Sequence, residues 1–198
     1  MGINALSARA VFLDRDGVII RPELRNGRPY PPVSVDQVEV LPGVSESLAR
    51  LRAAGFRLIV VTNQPDVARG QQRREVVEAI HAELRARLPL DDIRVCYHDE
   101  TDECDCRKPR PGLLLEAARH AMVDLGRSFM VGDRWRDIEA GHRAGCSAVF
   151  IDYGYAEARP EQPDACCGSL PEAVDWILAR VAAVDQGISA RGAHESDQ

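Results

Sequence analysis

Short apolar runs rich in β-branched residues alternate along this chain with amphipathic stretches of helical period, and that alternation most narrows what it can fold into. The runs are Ala10–Leu13, Arg57–Val61, Ile93–Cys96, Phe129–Val131 and Ala148–Ile151. Almost every position in them is apolar, as in strands buried on both faces. Between the runs, the spacing predicts helices over Val44–Ala54, Arg73–Leu88, Leu113–Val123 and Trp135–Ala144, closed by Gly55, Pro89, Gly126 and Gly145. Gly and Pro are the residues that end helices. Strand, helix and next strand then form right-handed crossovers, which make the strands parallel. The expected class is α/β: a doubly wound parallel sheet in three α/β/α layers, Rossmann-like. Pro171–Val184 reads as a last helix. The remainder, 185–198, is poor in large apolar residues and reads as a disordered tail, leaving one domain over 1–184.

Charge and cysteine usage narrow the function. Lys and Arg number 25 against 31 Asp and Glu, a net charge of −6 with no basic stripe, which argues against a nucleic-acid partner. No apolar run approaches the roughly 18 residues of a membrane span, and the first residues lack the apolar core of a secretion signal, so a cytoplasmic monomer is expected. Three of the six cysteines crowd into Cys96–Cys106, a pattern of metal binding in a reducing compartment rather than of disulfides. Cys96, His98, Cys104 and Cys106 supply the donors of a closed tetrahedral Zn²⁺ site, a structural one because all four positions come from protein. This zinc loop, 96–106, ends directly at Arg107 and Lys108 and would aim them.

In an open parallel sheet, ligands bind beyond the carboxyl ends of the strands. Four segments fall there: Asp14-Arg15-Asp16-Gly17, Thr62-Asn63-Gln64, Arg107-Lys108-Pro109 and Gly132-Asp133-Arg134-Trp135-Arg136-Asp137. Phosphoryl transfer needs an in-line nucleophile, neutralisation of the phosphate charge and a proton for the leaving oxygen. Asp14 can be the nucleophile, forming an aspartyl phosphate, and Asp16 the acid that then activates water. Mg²⁺ could be held by Asp14, the Asp16 carbonyl and Asp133, with Asp137, four residues on, supporting the site. Thr62, Asn63, Gln64, Arg107, Lys108 and Arg134 would bind phosphate or substrate. Singly, each has a bland reading, as a turn, a helix cap or a solvated charge. Their joint placement outweighs those readings. A calcium loop fits poorly, because Val18 stands where a third ligand belongs. His81, His120 and His142 read as surface residues, Cys146 and Cys166-Cys167 as buried or incidental thiols, and Trp135 as packing under the site or lining it. The segments 21–34 and 97–111 are too long for plain connections.

Val11-Phe12-Leu13-Asp14-Arg15-Asp16-Gly17, Val60-Val61-Thr62-Asn63-Gln64, Cys106-Arg107-Lys108-Pro109 and Met130-Val131-Gly132-Asp133 resemble the four motifs of the haloacid dehalogenase superfamily. Within it they resemble the histidinol-phosphatase group, over about Ala10 to Leu178. The resemblance implies a Mg²⁺-dependent phosphatase with Asp14 as nucleophile, Asp16 as acid/base, Thr62 and Lys108 on the phosphate and Asp133 on the metal. Zinc loops of this type also occur in the group. Larger relatives insert a cap domain, but Asp16 to Thr62 and Thr62 to Lys108 are each 46 residues, already filled, so no cap is expected. The substrate is then a small phosphate ester. Thr62–Gly70, ending Ala68-Arg69-Gly70, and Lys108–Gly112 resemble the heptose bisphosphate enzymes of the group, whereas the five residues between His98 and Cys104 resemble the compact loop of its histidinol phosphatases. Arg69, Arg107, Arg134 and Arg136 favour a second phosphate over the amine of histidinol phosphate.

Overall fold

A computed structural model describes residues 8–192. The chain begins with β1 (Arg9–Leu13), a hairpin of β2 (Glu23–Arg25) and β3 (Arg28–Tyr30), and α1 (Val44–Ala53). It continues through β4 (Phe56–Asn63), α2 (Arg74–Arg87), β5 (Asp92–Cys96), α3 (Gly112–Ala121), β6 (Phe129–Gly132) and α4 (Trp135–Ala144). β7 (Ser147–Ile151), β8 (Ala165–Cys167) and α5 (Leu170–Gly192) complete it. Six strands form one parallel sheet in the order β5-β4-β1-β6-β7-β8.

β1 lies at the centre, with Leu13 opposite Val60 of β4 and Val131 of β6. Its side chains alternate between faces. Val11 and Leu13 enter one core with Leu48 of α1, Ile80 and Leu84 of α2 and Ile177 of α5. Ala10 and Phe12 enter the other with Leu114 of α3 and Ile138 of α4. Fully burying a Leu, Ile or Phe side chain stabilises by about 1.5–3 kcal/mol, so these two cores hold the helices to the sheet. This is the expected three-layer arrangement. The insert between β1 and α1 is only a small hairpin, tied down where Ala156 N donates to Gly27 O at 2.9 Å. No helix among the described residues is long and apolar enough to cross a membrane.

Four details differ from the sequence reading. Segment 21–34 holds a hairpin, turned at Asn26 and Gly27 with φ of 51° and 72°, and β8 adds an edge strand. Both involve three-residue strands, too short to show a period. α5 continues past Val184 to Gly192, so part of the expected tail is helical. Adding residues to an existing helix costs little when they include Ala, Gln and Arg. Residues 193–198 lie outside the described residues. Finally, His81 is fully buried, not on the surface.

Candidate active site

Asp14 directly follows β1, and its N–H donates to Val131 O at 2.9 Å, so the β1–β6 pairing extends to this residue and fixes its backbone. Lys108, on the loop between β5 and α3, reaches the same point. Its ammonium lies 2.7 Å from Asp14 Oδ1, 2.7 Å from Val61 O and 2.6 Å from Asp137 Oδ1. Burial alone would lower the Lys108 pKa, but the carboxylates of Asp137 and Asp14 more than reverse that and raise it. The lysine therefore stays charged. Asp137 also accepts from Arg134 N at 3.1 Å, at the start of α4.

Asp133 stands differently. It is buried, and neither carboxylate oxygen makes a well-formed hydrogen bond, although the Tyr155 hydroxyl lies close to it. Asp14, Asp133 and Asp137 each present an oxygen within 4.8 Å of the others. Burial, then Asp14 and Asp137, push the Asp133 carboxyl well above its usual range. Lys108 compensates Asp14 and Asp137 but not Asp133, whose burial costs several kcal/mol unless a further cation joins the cluster. All-oxygen donors of this kind suit a hard divalent ion such as Mg²⁺. Asp16 is not in this cluster through its carboxylate, which faces Arg15 and Gln64 instead.

Gly17 lets the loop pass this close. Its φ is +90°, and a Cβ there would lie 1.9 Å from Asp133 Oδ2. In Gly17→Ala we expect a loss of at least ~2 kcal/mol, from left-handed strain plus displacement of Asp133. Urea unfolding, with a Mg²⁺ titration of the activity, checks this.

The cleft above is about 450 Å³. Asp14, Asp16 and Lys108 line its floor, Arg28 and Tyr30 of the hairpin one side, and Arg69, Arg107, Trp135 and Arg136 others. Trp135 thus lines the site. Asn63 also lines the cleft, but its amide is held by Lys108, donating to the backbone oxygen at 3.0 Å and accepting from the N–H at 3.1 Å. Thr62 and Gln64 lie beneath the surface.

The rim is not the bare cationic surface that the sequence suggests. Arg69 forks onto Asp99 at 2.6 and 2.9 Å, and Arg134 onto Glu157 at 2.5 and 2.8 Å. Glu100 takes Arg136 at 3.0 Å and Arg107 at 3.5 Å. These acids come from the 97–111 and 152–159 segments, so no local spacing announces the pairs. Arg15 went unnoticed for the same reason. His81 did carry a signal, since Val77, Ile80 and Leu84, the buried residues of α2, place it on their stripe.

Beside the cleft, Cys96, His98, Cys104 and Cys106 converge as expected. The sulfur–sulfur distances are 3.1, 3.4 and 3.6 Å, and His98 Nδ1 lies 3.2 Å from Cys106 Sγ and 3.7 Å from Cys96 Sγ. A tetrahedron with Zn–S bonds of about 2.3 Å has edges of about 3.8 Å, so the four donors are close to that spacing. Burial and the two neighbouring thiols push Cys106 far up in pKa. Cys146, Cys166 and Cys167 stand apart as free thiols.

The HAD-hydrolase-like family model matches residues 105–173. The chain is 34% identical over 197 residues to the D-glycero-β-D-manno-heptose-1,7-bisphosphate 7-phosphatase of Escherichia coli K12, covering 93% of this chain and 95% of that one. The enzyme of that name from Pseudomonas aeruginosa is 37% identical over 154 residues, covering 75% of this chain and 84% of its own. Among solved structures, the D,D-heptose 1,7-bisphosphate phosphatase of B. bronchiseptica, complexed with magnesium and phosphate, matches with a TM-score of 0.70 and 30% identity. That match covers 87% of this chain and 99% of that one. Cradled carboxylates at the strand ends and likeness along almost the whole chain agree: the chain is a phosphatase of the haloacid-dehalogenase-like family, in the group that contains the heptose bisphosphate phosphatases.

Proposed function

We propose that this phosphatase removes the 7-phosphate of D-glycero-D-manno-heptose 1,7-bisphosphate, with Asp14 as nucleophile, Asp16 as acid/base, a Mg²⁺ ion at the carboxylate cluster and a structural Zn²⁺ in the cysteine loop. The observation that carries the substrate is the likeness to heptose bisphosphate phosphatases over 93% of the chain. Asp14, the Asp16 carbonyl and Asp133 would hold Mg²⁺, with Asp137, engaged by Lys108 and Arg134 N, supporting them; the ion would supply charge neutralisation for the phosphoryl oxygens. Asp14 Oδ attacks phosphorus while Asp16 gives its proton to the departing sugar oxygen. Asp16 then takes a proton from water, whose oxygen attacks the aspartyl phosphate and frees Asp14 and inorganic phosphate. Lys108, charged and held by Asp14 and Asp137, fixes the nucleophile's orientation and offsets the accumulating negative charge. We assign the enzyme to the cytoplasm, where a reducing environment keeps the cysteine cluster as thiolates, and describe it as a single capless domain working as a monomer.

A balanced rim still suits a second phosphate. Arg107 and Arg136 share one exposed carboxylate, Glu100, so their guanidinium donors are only partly used. The kcat/KM for the heptose bisphosphate is expected to exceed that for histidinol phosphate at least ~10-fold, because a charge-assisted hydrogen bond contributes about 1.5–3 kcal/mol. Arg107→Ala should remove much of that margin. Histidinol phosphate as the better substrate, at equal Mg²⁺, would overturn the substrate assignment.

A further inference from the structure

Arg15 stands between the nucleophile and the acid/base and is fully buried, a place where a guanidinium needs partners. Its Nε lies 3.2 and 3.1 Å from Asp16 Oδ1 and Oδ2, and its Nη2 lies 3.1 and 2.9 Å from the same atoms. Two nitrogens of the guanidinium fork thus each reach both carboxylate oxygens, a charge-assisted contact. Gln64 Nε2 donates to Asp16 Oδ2 at 2.9 Å and to Thr62 Oγ1 at 2.9 Å. An ionised carboxylate has about four acceptor directions. The guanidinium bears on both oxygens, at the shorter distances on Oδ2, and Gln64 adds a further donor to Oδ2 alone, so Oδ1 is the less engaged oxygen.

The third corner of the guanidinium is also held. Arg15 Nη1 lies 3.0 Å from Nε2 of His81 on α2. Arginine has no acceptor, so Nε2 must accept and Nδ1 carries the ring hydrogen. Burial, then Arg15 and Arg85, lower the His81 pKa to about 3, so the ring stays neutral. Nδ1 is buried with no hydrogen-bond partner, and the Glu78 carboxylate is 4.0 Å away. A buried histidine with one orphaned nitrogen is costly. Its one satisfied atom is the one under Arg15. Neither Arg15 nor His81 lines the cleft, so neither touches substrate.

We propose that Arg15, seated on His81, is the positioning residue of the acid/base: together with Gln64 it locks the Asp16 carboxylate so that Oδ1 alone exchanges the proton. The proposal rests on the reading of Asp14 and Asp16 above. The proton leaves Asp16 Oδ1 for the ester oxygen as the phosphorus–oxygen bond breaks and the bond from Asp14 forms. Oδ1 later receives the proton of the attacking water.

Leaving-group dependence tests this where a merely structural role would be silent. An alkyl phosphate needs a proton on its departing oxygen, whereas p-nitrophenolate departs largely without one. Release of each leaving group is measured in a single turnover with enzyme in excess, which isolates the first step. For Asp16→Asn the alkyl-to-aryl ratio should fall within the ~10²–10⁴-fold range of acid–base catalysis, and for Arg15→Lys, which keeps the charge but loses the fork, by about 10–100-fold. His81→Leu leaves the fork but removes its seat, and should lower the ratio by about 3–10-fold, a small fraction of the full acid–base effect. If Arg15→Lys does not fold, His81→Leu decides by the same ratio. A folded Arg15→Lys protein in which both releases fall alike, or neither falls, overturns the proposal while leaving Asp16 as the acid. An unchanged ratio in Asp16→Asn overturns the acid/base reading, and the positioning role falls with it.

Discussion

Asp14→Asn is expected to abolish turnover, by about 10⁴–10⁶-fold, the scale on which nucleophile deletions act, while the protein stays folded. The amide matches the carboxylate in shape but cannot form the aspartyl phosphate. Loss of the ion pair to Lys108 should not collapse the site, because the ammonium keeps Asp137 at 2.6 Å and Val61 O at 2.7 Å. Asp16→Asn is expected to retain a trace, since acid–base catalysis is worth about 10²–10⁴-fold. Phosphate release, with circular dichroism of both variants, checks the pair. Near-parental activity in purified Asp14→Asn protein would sink the mechanism.

The second large effect concerns zinc. Purified protein should carry about one Zn²⁺ per chain, and activity should depend separately on added Mg²⁺, because thiolate and carboxylate donors select different ions. Cys104→Ser should lose the zinc and lower activity by about 10–100-fold, the cost of disturbing groups that orient a site. The path is short. Cys106 adjoins Arg107 and Lys108, and the carbonyls of Glu103 and Cys104 accept from Arg110, so loosening the loop moves the residues that meet Asp14. Cys166→Ser, at an exposed thiol away from the cluster, should keep its zinc. Elemental analysis decides, and zinc-free protein from metal-rich expression would refute the assignment.

Much of this was legible in the chain because it is local. α4 runs from Trp135 to Ala144 as expected, since Gly145 adopts the left-handed turn (φ 90°) that closes a helix. Asp14 and Asp133 lie one residue beyond β1 and β6, strands whose apolar runs are unmistakable, and Asp16 and Asp137 follow within a few residues. Other features depend on residues distant in sequence. Glu157 and Glu100, which hold the rim arginines, come from loops without period, and the Arg15–His81 contact joins residues 66 apart. His81 was legible by position and hidden by polarity: a stripe of Val77, Ile80 and Leu84 includes it, yet an imidazole is usually taken for the solvent side.

β1 is buried along Ala10–Leu13 and hydrogen-bonded to a neighbour on each edge. Such a strand has no partial opening of its own; its amides exchange with solvent only when the whole domain unfolds. The nucleophile is mounted on the least yielding piece of the molecule, whereas the hairpin beside the cleft is an exposed two-stranded ribbon outside the main sheet, fastened at Gly27 to Ala156. Substitutions in 21–34 can therefore reshape what the cleft admits without a cost to the stability of its floor. In this fold, selectivity is free to drift while the chemistry stays fixed.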